Sequence, residues 1–247
     1  MKAKPSLLLL LVALGCRPTE VAKPDDPPPT SDVAIGREQN PEQMLEQLGE
    51  AFLAGYFAAN PVAATALGEH SHDHRWPDLS LDRRTEHDQW LVEQLAAVAK
   101  VPREALDPDG RLELDTIRNQ LELWRFASEV EQVWRSDPLS YSYLISAGLD
   151  DLLSRDFAPL EQRATSVAAR LEALPALVDQ AIANLSDPTL VRRPQAEVAI
   201  GQYGGIITLI EQEIPERTAE ASPELRERIA AASPAAVAAI ASLRSHV

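Results

Sequence analysis

Cysteine is nearly absent from this sequence, because Cys16 is the only one in 247 residues. A single thiol excludes an intramolecular disulfide framework and any zinc site built from several cysteines. Aromatic residues are also scarce, at 5% of the chain, and no alternating apolar run of useful length occurs, so a β-sandwich is not favoured. Alanine and leucine are abundant instead, which favours helices.

Basic side chains are outnumbered by acidic ones. The 23 lysine and arginine residues stand against 38 aspartate and glutamate residues, so the formal net charge is −15. Phosphate binding needs a basic surface, which excludes nucleic acid as a main partner. The shares of hydrophobic residues, 45%, and of charged residues, 25%, are ordinary for a globular protein and exclude wholesale disorder.

The common short catalytic motifs are missing. The sequence contains no HExxH, no G-x-S-x-G and no S-x-x-K, so the two-histidine zinc site of many metallopeptidases and the usual serine-nucleophile motifs are both absent. A triad assembled from distant residues stays open, because such triads follow no fixed order along a sequence. The motifs therefore leave the question of an enzyme undecided, and no catalytic residue is assigned.

The first residues are typical of a bacterial lipoprotein signal. Lys2 and Lys4 precede an uncharged apolar run over residues 7–14, which is too short to span a bilayer but suits a secretory signal. A glycine directly precedes Cys16, and a small residue before a lone cysteine indicates cleavage and lipidation at that point. We predict a signal peptide over residues 1–15 and lipid on Cys16. An ordinary signal peptide with an incidental cysteine is the alternative.

The predicted lipid places the protein in the cell envelope. Each buried methylene of an acyl chain adds about 0.8 kcal/mol of membrane affinity, so two or three chains anchor a protein firmly. Anionic lipids repel an acidic body, so we expect the lipid on Cys16 to make the membrane contact. Arg17 stands where an aspartate often signals inner-membrane retention in enterobacteria. The absence of an aspartate there favours the outer membrane over the inner membrane. Together with the predicted lipid, it favours the outer membrane or the periplasmic face over the cytoplasm.

Residues 16–40 are rich in proline and poor in apolar periodicity, which predicts a disordered tether. A helical body follows over 41–247, because caps followed by proline recur there and apolar residues are spaced three and four apart. The cap–proline pairs are Asn40-Pro41, Asn60-Pro61, Asp137-Pro138, Ser222-Pro223 and Ser233-Pro234. We predict an all-α array of many helices, with Pro175 kinking or splitting one of them. The predicted helices cover roughly 41–59, 61–67, 80–99, 110–134, 138–146, 148–154, 159–185, 194–214, 223–232 and 234–247.

The C-terminal part of the sequence has two unusual features. The glycines of Gly201–Gly205 lie inside a predicted helix and follow no strand, so we expect a close approach of another helix there, not a phosphate loop. The last helical pattern reaches Val247 without a capping residue, which indicates C-terminal truncation, with a frayed terminal helix as the alternative. A truncated body would leave apolar stripes such as Leu160–Val178 partly uncovered.

A histidine-rich loop is the one place with metal-ligand residue types close together. His70, His72 and His74 are weak candidates for a metal site, and His87 on the next predicted helix could add a ligand. Alternate spacing spreads such ligands along a line, so a solvated polar loop is the favoured alternative. We expect no tight zinc site, because such sites need preorganised ligands.

Two stretches of the body resemble one known family. The first reads NPVAATALGEH over 60–70 and continues to Asp73 and to PDLS at 77–80. The second reads SAGLDDLLSRDFAPL over 146–160 and continues to Arg163 and to ARLE at 169–172. Together they resemble the bacterial family called domain of unknown function 885, from about residue 41 to the last residue.

The resemblance implies a mostly helical fold similar to thermolysin-like zinc peptidases, in a protein that is secreted or lipid-anchored. Full-length members of the family carry HExxH in their C-terminal half, whereas this sequence resembles the N-terminal half only. The resemblance therefore implies zinc for a full-length member, no cofactor for this chain, and no catalytic or metal residue at any position here.

Three functions are open at this point. The first is the N-terminal portion of a lipid-anchored, zinc-metallopeptidase-like protein of unknown substrate, inactive in this form. The second is a non-catalytic helical lipoprotein that acts as a binding or scaffold module in the cell envelope. The third is metal binding by the histidine loop. The expected partners are the membrane, through Cys16, and a C-terminal half or a peptide substrate.

Overall fold

The structure, a computed structural model, describes residues 40–247, which form helices and no strand. The predicted signal peptide, Cys16 and most of the predicted tether lie outside these residues. The helices are α1 Pro41–Ala59, α2 Pro61–Leu67, α3 Leu81–Lys100, α4 Pro108–Phe126, α5 Val133–Ser136, α6 Pro138–Ser154, α7 Leu160–Asn184, α8 Arg193–Thr208, α9 Ile214–Arg217 and α10 Pro223–His246. None of the described helices is long and apolar enough to cross a membrane. The predicted all-α fold is confirmed.

Three helices begin with a capping side chain followed by proline, and two of these pairs, at Asn40 and Asp137, are among the predicted ones. Asn40, Asp107 and Asp137 each accept a hydrogen bond from a backbone N–H of the following turn, at 3.2, 2.7 and 3.0 Å. Proline follows each of them, at a position where the missing N–H has no helical partner to lose. Ser222 differs, because its hydroxyl donates to Glu161 of α7 and so ties the start of α10 to another helix.

Two apolar cores hold the helices together. The first lies between α1, α3 and α4 and contains Leu45, Leu48, Phe52, Leu91, Val98, Leu114, Ile117 and Leu121. The second lies between α6, α7, α8 and α10 and includes Ile145, Leu149, Leu171, Leu174, Tyr203, Ile210, Ile240 and Leu243. Helix α2 packs against both α1 and α6, and the segment after it packs Trp76 and Leu79 on the second core. That segment therefore connects the two cores.

Prolines inside two helices do not break them. Pro175 lies within α7 and Pro234 within α10, so α7 is not split, and the predicted break between 232 and 234 is wrong. An interior proline costs about 3 kcal/mol. Leu174 and Val178 on either side of Pro175 are almost fully buried, and burial of such side chains contributes about 1.5–3 kcal/mol each. Packing along the whole helix therefore offsets the lost hydrogen bond.

The predicted break of α6 near residue 147 is also wrong. Helix α6 continues through Gly148, and the ring of Trp76 occupies the space that a Cβ at this position would need. The glycine allows the indole to approach the helix closely. A sequence pattern cannot distinguish a glycine of this kind from one that ends a helix.

Helix α4 ends earlier than predicted. The expected helix over 110–134 stops as an α-helix at Phe126, continues as a single π turn and reaches Gln132, whose φ is 47°. A left-handed residue redirects the chain, since a regular helix cannot continue through it. The short α5 that follows brings Trp134 over to Arg84 of α3.

The apolar stripe expected to lack cover is buried. Along Leu160–Val178, the side chains Ala164, Val167, Leu171 and Leu174 are all 0% exposed. On α8, by contrast, the exposed fraction of Val198 is 52%.

The glycines of α8 do not receive another helix. A Cβ built at Gly201 or Gly205 meets nothing within 4 Å among the described residues, and one at Gly204 just reaches Arg244. The close approach of another helix to these glycines, expected from the sequence, is therefore wrong for residues 40–247.

Candidate functional site

The two stretches with a family resemblance meet at Arg170 of α7, whose side chain is 0% exposed. Its Nε donates to the carbonyl of Arg75 at 3.2 Å, its Nη2 donates to the hydroxyl of Thr65 at 3.0 Å, and its Nη1 donates to the carbonyl of Gly148. Burial lowers the pKa of Arg170 to about 10, so the guanidinium stays protonated at neutral pH. One arginine thus joins α2, the segment after it and α6.

Trp76 reinforces the same junction. Its indole N–H donates to the carbonyl of Arg170 at 2.8 Å, and its ring centroid lies 5.4 Å from the guanidinium carbon. Contacts of this kind between a cation and an aromatic face stabilise by about 0.5–2 kcal/mol.

Asp73 and His70 are also part of this junction. Asp73 is 5% exposed, and its Oδ1 lies 2.6 Å from the hydroxyl of Thr65 while its Oδ2 lies 3.0 Å from Nδ1 of His70. The imidazole of His70 stacks on Phe157, with ring centroids 3.8 Å apart. Both residues of the first stretch are therefore bonded within the fold and do not point into a cavity.

The second stretch is bonded in the same way. Arg163 is 7% exposed and donates to Asp156 at 2.7 Å and to the carbonyl of Ala158 at 2.8 Å. Arg155 donates to the carbonyl of Ala66 at 2.9 Å, which links the two stretches a second time. Buried polar groups that are all paired within the protein stabilise a fold and leave no donor for a substrate.

The three candidate metal ligands of the histidine loop do not converge. His70 faces Asp73, Nδ1 of His72 lies 3.2 Å from Nη2 of Arg75, and His74 is exposed. His87 lies elsewhere, with its ring centroid 5.5 Å from that of Trp90. Within residues 40–247, no group of three or more histidine, cysteine, aspartate or glutamate side chains is placed to hold a metal ion.

A groove of about 540 Å³ with mixed chemistry opens on the described part of the chain. It lies between the corner of α1 and α2, the segment 77–80, α3, α5 and α6. Its walls are mainly aromatic and apolar, and most of its charged side chains come from the first two turns of α3. The side chains that define it are Asn60, Asp78, Arg83, Arg84, Glu86, His87, Trp90, Trp134, Tyr141 and Leu144.

The α1 wall of the groove depends on Gly55. A Cβ at this position would lie 2.7 Å from the indole of Trp90, which is inside van der Waals contact. The missing side chain lets Trp90 lie flat against α1. Asn60 then ends α1 and begins α2, since its amide donates to the carbonyl of Tyr56 at 3.0 Å and Pro61 follows it.

Arg84 and Trp134 form the floor of the charged part of the groove. The guanidinium carbon of Arg84 lies 4.1 Å from the centre of the Trp134 ring. Burial lowers the pKa of Arg84, whereas the nearby Tyr141 and Asp88 raise it and so offset part of the effect. Burial likewise lowers the pKa of His87, which favours a neutral imidazole at pH 7.

Sequence reasoning missed this groove. The sequence suggests His87 only as a distant metal ligand, and Arg84 and Trp134 belong to no motif. They are 50 positions apart and meet only because the chain reverses at Gln132. A lone arginine on a predicted helix and a lone tryptophan carry no sequence signal for such a contact.

Comparison with known proteins agrees with this fold. The family model described as a bacterial protein of unknown function, DUF885, matches residues 61–247. The chain belongs to the DUF885 family. No curated protein matches this sequence. The DUF885 resemblance inferred from the two stretches is thereby confirmed.

One solved structure similar to this DUF885 chain is described as a "putative lipoprotein of unknown function" from Shewanella oneidensis. The two share 23% sequence identity and superpose with a TM-score of 0.74. The match covers 81% of this chain and 36% of the other chain, so this chain spans about a third of that protein. At this identity the likeness shows the fold alone.

Proposed function

We propose that this DUF885 protein is anchored in the cell envelope by lipid on Cys16, and that its helical body over residues 41–247 holds a ligand without catalysing a reaction. The sequence of the first sixteen residues supports the anchor, and the similarity to a protein described as a lipoprotein agrees with it. In this proposal residues 1–15 are the signal peptide and 16–40 the tether. The outer membrane or the periplasmic face is the expected location.

The groove at Arg84 is the observation that carries the ligand-holding role. The hydrogen bonds of Arg170, Asp73 and Arg163 are made to other residues of the fold, so the stretches typical of the family support the packing of the helices. Arg84 instead lines an opening, and its two Nη groups are not enclosed and have no hydrogen-bond partner among the described residues. A concave, largely aromatic site with a few unpaired polar groups is the usual form of a ligand site.

In this proposal, peptidase chemistry belongs to a part of longer family members that residues 61–247 do not include. Zinc catalysis of peptide hydrolysis requires ligands that lower the pKa of bound water to near neutrality. The described residues supply no group of three such ligands. In this proposal a zinc-peptidase function belongs to longer family members with HExxH, as the family resemblance implies, and this chain supplies the binding part.

The test is a hydrolysis assay on the full 247-residue chain, purified in detergent. The chain is incubated with a mixture of fluorogenic peptides and zinc, with and without a chelator, and a known zinc peptidase serves as the positive control. We expect no chelator-sensitive hydrolysis. Hydrolysis that follows added zinc and disappears with the chelator would contradict the proposal.

A further inference from the structure

The guanidinium of Arg84 has an enclosed donor without an acceptor in the fold. It stacks on the indole of Trp134 at 4.1 Å, which orients its plane but uses none of its five N–H donors. Its Nε is enclosed and has no hydrogen-bond partner among residues 40–247. The Nε cannot be reached from the groove, but the two Nη groups are not enclosed and have no hydrogen-bond partner among residues 40–247, so they are open to an acceptor supplied from outside.

A second unpaired donor lies beside it. The indole Nε1 of Trp134 is also enclosed and lacks a partner within the described chain. An indole N–H can only donate, and so can a guanidinium. Both enclosed donors lie behind the groove surface. The groove itself presents the two Nη groups of Arg84, which donate and cannot accept, and this selects an anionic group or a water.

The nearby carboxylates are already engaged. Asp78 accepts from the N–H of Ser80 at 2.9 Å, Glu86 accepts from Arg83 at 2.6 Å, and Asp88 accepts from the hydroxyl of Ser128 at 2.5 Å. No ion pair joins any of them to Arg84 in the described structure. Asp88 acts on Arg84 through its charge without forming an ion pair, and Arg84 lies at an opening.

The planar geometry favours a carboxylate over a phosphate. The two Nη groups of a guanidinium form a planar fork, and that fork matches the two oxygens of a carboxylate in a paired, parallel arrangement. Phosphate sites generally add backbone N–H groups or further cations. Here the second arginine of the groove, Arg83, is bound to Glu86.

The rest of the groove favours a flat apolar group next to the carboxylate. Trp90, Trp134 and Leu144 form apolar walls, and the volume of about 540 Å³ lies within the range of small-molecule sites. We propose that the groove binds the carboxylate of an aromatic or apolar acid, such as the C-terminal residue of a peptide, with the two Nη groups of Arg84 holding the two oxygens and the Trp134 ring supporting the guanidinium. This inference rests on the proposed ligand-holding function and specifies its ligand.

The test uses isothermal titration calorimetry on the full chain, purified in detergent, with N-acetyl-L-phenylalanine as the probe. Its amide, N-acetyl-L-phenylalaninamide, has the same size and ring but no charge. We expect the acid to bind and the amide to bind at least about tenfold more weakly, because the amide loses the charge-assisted hydrogen bonds to the guanidinium. A capped tripeptide with a free C-terminal phenylalanine is titrated beside it and distinguishes a peptide end from a free acid.

Variants assign the binding to the groove. Arg84→Gln is expected to weaken binding of the acid at least about tenfold, while Arg226→Gln, which makes the same charge change at an exposed site outside the groove, is expected to leave it unchanged. Arg84→Lys keeps the charge but loses the planar fork, so an intermediate affinity is expected. Trp134→Phe keeps an apolar wall and an aromatic face against the guanidinium, so it should weaken binding of the acid less than Arg84→Gln does. Circular dichroism verifies that each variant is folded.

Two results would overturn the inference. One is equal affinity for the acid and the amide, or an affinity for the acid that Arg84→Gln leaves unchanged. The other is equal binding of sodium acetate or inorganic phosphate at Arg84, which would show a site for any small anion. Neither result bears on hydrolysis, so this inference can fail while the non-catalytic function stands.

Discussion

Arg170 and Thr65 are 105 positions apart in the sequence, and Nη2 of the arginine donates to the hydroxyl of the threonine at 3.0 Å. This contact joins α7, in the second core, to α2, which packs on α1 in the first. Because the arginine is fully buried and also bonds two backbone carbonyls, its removal would leave several polar groups without partners.

We therefore expect Arg170→Met to destabilise the protein by about 3 kcal/mol or more, because each buried group left unpaired costs about 1–3 kcal/mol. Urea denaturation followed by circular dichroism measures the change in the free energy of unfolding. Arg226→Met at an exposed site is the matched control and should stay within about 0.5 kcal/mol of the wild type. A loss below about 1 kcal/mol for Arg170→Met would contradict the structural role of this arginine.

Two helical glycines form a matched pair for a second prediction. Gly148→Ala would push a methyl group into the ring of Trp76, and overpacking of this kind costs about 1–3 kcal/mol. Gly201→Ala meets open space and should be neutral or stabilising by up to about 1 kcal/mol, because alanine favours a helix. Thermal unfolding of both variants gives the comparison, and equal effects would show that Trp76 does not approach Gly148 closely.

His87 is predicted to make stability depend on pH. Burial, together with Arg84 and Arg83, holds the pKa of His87 below its ordinary value of 6.5, although Asp88 acts in the opposite direction. On acidification His87 therefore takes up a proton more readily in the unfolded chain than in the folded chain. Its contribution to the free energy of unfolding is fully present above the unfolded pKa and is lost as the pH falls below 6.5.

The measurement is the urea midpoint at about pH 7 and about pH 5.5 for the wild type and for His87→Gln. The wild type should lose more stability on acidification than the variant does. An NMR titration assigns the pKa directly, with the variant identifying the His87 signal. A folded-state pKa at or above the ordinary value would refute the burial argument.

The anchor at Cys16 is tested in a Gram-negative host. The wild type is expected in the membrane fraction, since acyl chains and not the acidic surface hold it there. Cys16→Ala should release the protein or stall its processing, whereas Ser31→Ala in the predicted tether is a control that should change nothing. A wild-type protein that is wholly soluble and retains residues 1–15 would show that Cys16 is not lipidated.

Local sequence signals account for much of the fold. Caps at Asn40 and Asp137 fix helix starts through contacts two residues away, so a short window of sequence contains the whole cause. Pro234 and Gly148 misled the same reasoning, because their effect depends on side chains that pack on them from distant helices. Local propensity is a weak guide wherever tertiary packing overrides it.

The candidate site was much less accessible from the sequence. The stretches around Asp73 and Arg163 could be recognised as typical of a family, but nothing in their order shows that they meet at a buried arginine and serve packing. The groove residues Arg84 and Trp134 are brought together by the left-handed turn at Gln132. A glutamine with a positive φ leaves no reliable mark in a sequence, since glycine and asparagine are the usual residues there.

The central claim is that Arg170 holds the fold while Arg84 holds a ligand, and one measurement separates them. Melting temperatures of the wild type, Arg170→Met and Arg84→Gln are compared with and without N-acetyl-L-phenylalanine, because a ligand of the folded state raises the melting temperature by mass action. The account predicts a lower melting temperature without probe for Arg170→Met only, and an upward shift with probe for the wild type that Arg84→Gln abolishes. The claim would be contradicted if the probe raised the melting temperature of Arg84→Gln as much as that of the wild type.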